Sequence, residues 1–485
     1  MIRRALQSIC RVGLCCLPLV TILTVKPVAA EDLPANWAVY GGNSEHNSNY
    51  TISQGAAAEA LNRGVSWQFA EEGALPLDLV DGKDADVLGP RSAPVKTTQF
   101  LGNAVGVTVV GDTVFAESDA GFVYALDAVT GRLRWRARVD NAAMGNPIVV
   151  DGRVFVGSGD TGFAFSQVMS AMAGETGPLV RGLSWAGVYA FDAKDGKQLW
   201  RFGTRGENMP SQCYSDGALY FANGDGHFYS LDPATGKANW ITDIGGFDSM
   251  SSCLVVDGKV VAGFTDPNNL VAVDAKTGAI AQRTDFPNVA NTGMGDNSPT
   301  FERKDHEIIQ VAVTQTAKGA QGDTVDLAVF AVDPVSGVVR WKTLLGHGPM
   351  PPAFKASVAM THDGVIYVSD PATNTLSALS GNDGSVRWKS SIPHTYPTGL
   401  GRGAVTYHEG VIYQATGAYI YAWDAQTGKL RHELKVGGRF GIINPVIVGQ
   451  TMFLANSWGW IMALPLSEVG GQMQRRVSFT PGVMP

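Results

Sequence analysis

The sequence predicts an all-β protein, an eight-bladed β-propeller closed by pairing N- and C-terminal strands in one blade. Three observations lead there: a sevenfold motif, its spacing, and two incomplete half-units at the ends of the chain. The copies are VYALDAVTGRLRW, ending at Trp135, VYAFDAKDGKQLW at Trp200, FYSLDPATGKANW at Trp240 and LVAVDAKTGAIAQ at Gln282. VFAVDPVSGVVRW ends at Trp341, LSALSGNDGSVRW at Trp388 and IYAWDAQTGKLRH at His432. In each, an alternating apolar run predicts a strand. Asp-x-x-x-Gly predicts a tight turn, in which the Asp caps the backbone and the Gly supplies a positive φ. The following strand carries the Trp, which can pack on the neighbouring unit. The turn glycines, from Gly131 to Gly428, are spaced by 65, 40, 42, 59, 47 and 44 residues. A period in the forties with about four strands per unit is that of a propeller. WIMALPL (460–466) lacks a final strand, and GVSWQF (64–69) is a final strand without its repeat. Joined, they make the eighth blade and remove the free sheet edges.

Along the chain, Met1–Ala30 comes first. Arg3, Arg4 and Arg11 precede the apolar run VGLCCLPLVTILTV, and Val28 and Ala30 are the small residues before a cut. This predicts a signal peptide cleaved after Ala30. The run is too short to span a bilayer, and no later segment is long and apolar enough to do so. The expected destination is the periplasm, with association to the outer membrane or release to the medium left open. Residues 31–485 then form a single propeller domain. The two long spacings predict insertions near 161–187 and 283–326, and surplus loops on a rigid scaffold serve function or oligomerisation.

Cleavage removes four positive charges, Arg3, Arg4, Arg11 and Lys26, leaving 33 Lys+Arg against 44 Asp+Glu. That balance argues against nucleic acid as a partner. Charged residues are 17% of the chain, a low density that suits work in acid and equally a β-rich secreted protein. Cys213 and Cys253 alone survive cleavage. An even pair in an exported protein suggests a disulfide; two buried free thiols are the alternative.

The DA.TG….W repeat, with WAVYGGNSEHNSNY (37–50) leading into GVSWQF, resembles the quinoprotein dehydrogenase-like propellers over nearly the whole mature chain. One branch of that superfamily uses pyrroloquinoline quinone and calcium to oxidise alcohols. Glu175 in GETGPLVRG (174–182) looks like its metal-binding Glu. The chain has no adjacent cysteine pair after the signal, no Trp-Asp-x-Asp segment, no Gly-Asn-Pro and no Cys-x-x-Cys-His. A second branch is the non-catalytic scaffold, like the propeller lipoprotein of outer-membrane assembly; no cysteine follows the cut to take a lipid. In length, export signal, missing quinone motifs and inserted loops, the chain looks most like the tetrathionate hydrolases of acidophilic sulfur-oxidising bacteria. That resemblance implies an exported homodimer, joined through the insertion loops and active in acid. It also implies no cofactor, no metal, a small anionic sulfur compound as substrate, and an essential Asp acid.

Topology places that acid. In such blades the connection into the inner strand lies at one mouth of the ring. NTGMGDNSPTF (291–301) is one such connection, which makes Asp296 the expected catalytic acid, with Asp326 in GDTVDLAVF in reserve. A turn-capping role for Asp296 is the alternative. Met144, Met209, Met250, Met294 and Met350 lie nine to twelve residues after the Trp position of their repeats. They predict a soft, polarizable funnel for a sulfur-rich or apolar ligand, or adaptable core plugging the channel; a copper site is a third reading. Lys355, Arg402 and Arg439 fall at the same level and are expected to hold the sulfonates, or to form rim ion pairs. Trp185, Trp458 and Trp460 would wall the funnel or pack inside.

Overall fold

The computed structural model describes residues 56–71, 106–160, 180–182, 185–248, 250–286, 288–289, 297–317, 324–349, 357–394, 403–441, 444–456 and 459–471. They form eight antiparallel sheets in a ring. Blade 1 runs Val107–Val110, Thr113–Glu117, Phe122–Asp127 and Leu133–Arg138, from inner to outer strand. Seven sheets have four strands. Blade 7 has three, because Val411–Asp424 runs through the second and third positions as one strand, turning at Gly417.

Closure is as the half-units predict. The outer strand of blade 8, Trp67–Ala70, pairs antiparallel with Trp460–Pro465, Trp67 opposite Ala463 and Ala70 opposite Trp460. A helix the sequence reading did not anticipate, Ala56–Arg63, precedes that strand. Its Leu61 is fully buried, and the Leu61 carbonyl accepts from Gln450 N at 2.9 Å and Thr451 Oγ1 at 3.0 Å.

The repeat motif is explained by what it does between blades. The Trp135 indole donates to the Ala193 carbonyl in the next blade's turn at 2.9 Å. Trp67, Trp200, Trp240, Trp341 and Trp388 make the same bond to the next turn at 2.9–3.0 Å. The ring lies flush on the turn glycine: a Cβ on Gly196 would sit 2.5 Å from Trp135, and one on Gly131 would sit 2.6 Å from Trp67. Glycine is therefore required there twice over, for contact and for a φ near +70°. The apolar core divides into eight clusters, one at each contact between adjacent blades.

Strand direction alternates. The blade-to-blade connections and the loops between second and third strands therefore emerge at one mouth, and the tight turns at the other. Both insertion regions join strand ends at the first mouth. The region 283–326 also holds the first two strands of blade 5, Thr300–Glu302 and Glu307–Ala317. No helix among the described residues is long and apolar enough to cross a membrane.

Candidate active site at the ring mouth

The connections entering blades 2 to 5 are stitched together by a relay of short polar side chains. Asn146 N donates to Ser211 Oγ at 2.6 Å, Ser211 N to Ser252 Oγ at 3.0 Å and Ser252 N to Ser298 Oγ at 2.9 Å. Ala404 N repeats the pattern with Asn444 Oδ1 at 2.6 Å. Each donor and acceptor stands at the same register, two residues before the first ladder residue of its inner strand. The relay satisfies backbone groups that would otherwise be buried unpaired near the axis and fixes the mouth's inner rim. The disulfide Cys213–Cys253, with Cα atoms 5.7 Å apart, ties the entries of blades 3 and 4 just beneath it.

Methionines stand directly above this rim. Met144, Met209 and Met250 each lie four residues before inner strands starting at Ile148, Cys213 and Leu254. Met144 and Met209 are buried and Met250 is half-buried. Counted back in the same way from Thr300 and Thr406, that register holds Asp296 and Arg402. Met294, Met350 and Lys355 do not share it. Asp296, Met294, Met350, Lys355, Arg402, Trp458 and Glu175 lie outside the described residues. So does the side chain of Arg439, whose backbone is in the outer strand of blade 7. The residue after Asp296 is firmly held: Asn297 donates from Nδ2 to the Val311 carbonyl at 2.8 Å and accepts at its own carbonyl from Ser251 Oγ at 2.9 Å. The reserve acid, Asp326, is half-buried in the third strand of blade 5 and faces His347 Nδ1 at 3.0 Å. Trp460 is buried in the cluster between blades 7 and 8, so it packs, whereas Trp185 is 73% exposed.

Sequence reading missed a set of buried acids near this mouth. Burial pushes the Glu117 carboxyl up to about 8, against a 3.0 Å bond from Gly145 N to its Oε2. Burial likewise raises Glu71 to about 7; its Oε2 accepts from Ser118 Oγ. Glu207 is fully buried and pairs with Arg181 Nε at 3.0 Å, which pins the end of the first insertion between blades 2 and 3. Asp248 is buried and caps Ser251 N at 3.0 Å. Aligned repeats carry the signal for two of them. Four residues past the Trp position, where Glu71 stands, the other blades have Val139, Thr204, Ile244, Phe286, Leu345, Ile392 and Val436. At the Glu117 position the other blades carry Gly, Ala, Ser or Val.

Cys213 and Cys253 are bonded to each other across two blades rather than paired as neighbours in sequence.

A family model described as outer membrane protein assembly factor BamB matches residues 56–180, 179–323, 325–398 and 372–468. A tetrathionate hydrolase from Acidithiobacillus ferrooxidans is 37% identical over 441 residues, covering 90% of this chain and 87% of that protein. Another, from Acidianus ambivalens, is 33% identical over 463 residues, covering 90% of this chain and 85% of its own. The crystal structure of BamB from Moraxella catarrhalis superposes with a TM-score of 0.53 at 14% identity, covering 74% of this chain and 95% of that one. At that identity it bears on the fold alone.

Proposed function

The chain belongs to the tetrathionate hydrolase family, within the larger family of quinoprotein-like propellers, and we propose on that premise that it cleaves tetrathionate with water in acid. The observation that carries the reading is identity of 37% and 33% sustained over nine-tenths of the chain. The overall change is one tetrathionate dianion and one water giving thiosulfate, sulfur, sulfate and two protons. Atoms, charge and oxidation states balance without an external electron acceptor, so the reaction asks nothing of a quinone.

The site is read as the first mouth. Asp296 is the acid: breaking a sulfur–sulfur bond leaves a sulfur anion, and a carboxyl beside it supplies the proton. It shares its register with Met144, Met209 and Met250, whose thioethers are polarizable and suit the divalent central sulfurs. Lys355, Arg402 and Arg439 hold the sulfonate ends. The insertions cover this mouth and join two copies of the chain into a dimer, and the protein acts after export.

An unperturbed Asp has a pKa of about 3.9, so a lone Asp acid predicts turnover that fades towards neutrality. The test is thiosulfate and sulfate release from tetrathionate by the purified mature protein, with no added cofactor, near pH 3 and near pH 7, beside Asp296→Asn. We expect turnover only in acid, lost in the variant. Turnover that survives Asp296→Asn moves the acid elsewhere, Asp326 first. Absence of turnover in acid overturns the hydrolase reading.

A further inference from the structure

On the face opposite the active mouth, the contact between blades 6 and 7 holds an open cleft of about 470 Å³. Its floor is aromatic and rigid. The His362 ring stacks on Tyr407 with centroids 3.7 Å apart. The Tyr367 hydroxyl and the Trp388 indole both donate to the Ala425 carbonyl, at 3.4 and 3.0 Å. Three cations line the cleft, Lys304, Arg387 and Arg431, against the carboxylates of Asp363 and Asp424.

Their pairing is unequal. Four blades carry an Arg just before the Trp position: Arg134, Arg340, Arg387 and Arg431. In three of them that Arg is neutralised by the Asp opening its own blade's turn, as Arg134–Asp127, Arg340–Asp333 and Arg431–Asp424. Blade 6 has Ser380 where those blades have Asp, and its turn is capped from Asp383 instead. Arg387 therefore has no carboxylate partner among the described residues. One of its amino groups donates to the Gly364 carbonyl at 3.1 Å. Asp424 is committed to Arg431, and Asp363 faces Lys304 at 3.7 Å.

We propose that this cleft is a binding site for a small oxyanion of the sulfate class, anchored by the unneutralised guanidinium of Arg387, with Lys304 at its edge. A planar guanidinium presents its donors as a fork matched to two oxygens of such an anion. The aromatic floor backs the ligand on one side, while Arg387 itself is exposed to solvent. The site is separate from the proposed hydrolysis and stands whether or not that reading does.

The experiment is calorimetric titration of the mature full-length protein with sulfate, and separately with thiosulfate. It is run on the wild type, Arg387→Ala, Arg387→Lys and Ser380→Asp. The last removes nothing from the cleft and installs the carboxylate that the other Arg-bearing blades possess. Thermal melts check that each variant folds. We expect saturable wild-type binding of one or both anions, weakened about tenfold or more in Arg387→Ala and in Ser380→Asp, and less in Arg387→Lys. The tighter-binding anion identifies the occupant. No saturable binding to the wild type overturns the proposal, as does a folded Ser380→Asp protein that binds as well as the wild type.

Discussion

Glu71 and Glu117 are neutral acids placed where the fold elsewhere uses apolar or small residues. Their carboxyls are held at about 7 and about 8 by burial, against 4.5 for a Glu in the unfolded chain. The folded state thus keeps protons that the unfolded state releases. Stability is fully present below about pH 4.5 and falls as pH rises through the folded values, by about 1.4 kcal/mol per pH unit for each group between its two pKa values. Glu117→Gln should flatten the dependence of urea midpoint on pH between about 4.5 and 8, with little change in acid. Parallel wild-type and variant curves would contradict this. Both residues could be seen once the repeats were aligned by the Trp position, because a carboxyl interrupts an apolar column. Asp296 shows no such break in its own local sequence. Gly-Asp-Asn-Ser-Pro reads equally well as a capped turn, and only the register of Met144, Met209 and Met250 sets it apart.

The blade was legible at the element scale because one motif does three jobs: strand, turn and contact with the next blade. Trp-on-Gly packing makes a sharp prediction. Gly152 and Gly196 both have φ near +70°, but nothing lies within 4 Å of a Cβ on Gly152, whereas one on Gly196 would meet Trp135 at 2.5 Å. Gly152→Ala should cost only backbone strain, about 1–2 kcal/mol. Gly196→Ala adds overpacking of roughly 1–3 kcal/mol. Equal losses in chemical denaturation would mean the tryptophan seat is soft. The relay through Ser211, Ser252, Ser298 and Asn444 was not legible in the same way. Serine and asparagine in a connection read as loop composition, and only the ring brings each beside the backbone N–H of its neighbour. The helix Ala56–Arg63 escaped for a related reason: its buried side exists because blade 8 is there to receive Leu61.

For the whole molecule, the ring and its closure were readable from two half-blades at opposite ends of the sequence. The covalent tie within it was legible too, because Cys213 and Cys253 stand at the starts of the inner strands of adjacent blades, and the structure bonds them. Cys213 and Cys253 close a loop of 40 residues, for which chain-entropy arguments give about 4 kcal/mol. Reducing the protein, or Cys213→Ser with Cys253→Ser, should lower the unfolding midpoint by that order while leaving far-ultraviolet circular dichroism unchanged. A midpoint unmoved by reductant would count against the tie as a source of stability. The closing strand carries a different consequence. Among the described strands Trp67–Ala70 comes first along the chain and its partner Trp460–Pro465 comes last. However far the intervening blades have assembled, the circle cannot shut until Trp460–Pro465 is available to pair with Trp67–Ala70. Until then each of the two half-blades carries an unpaired strand edge, open to pairing with another chain.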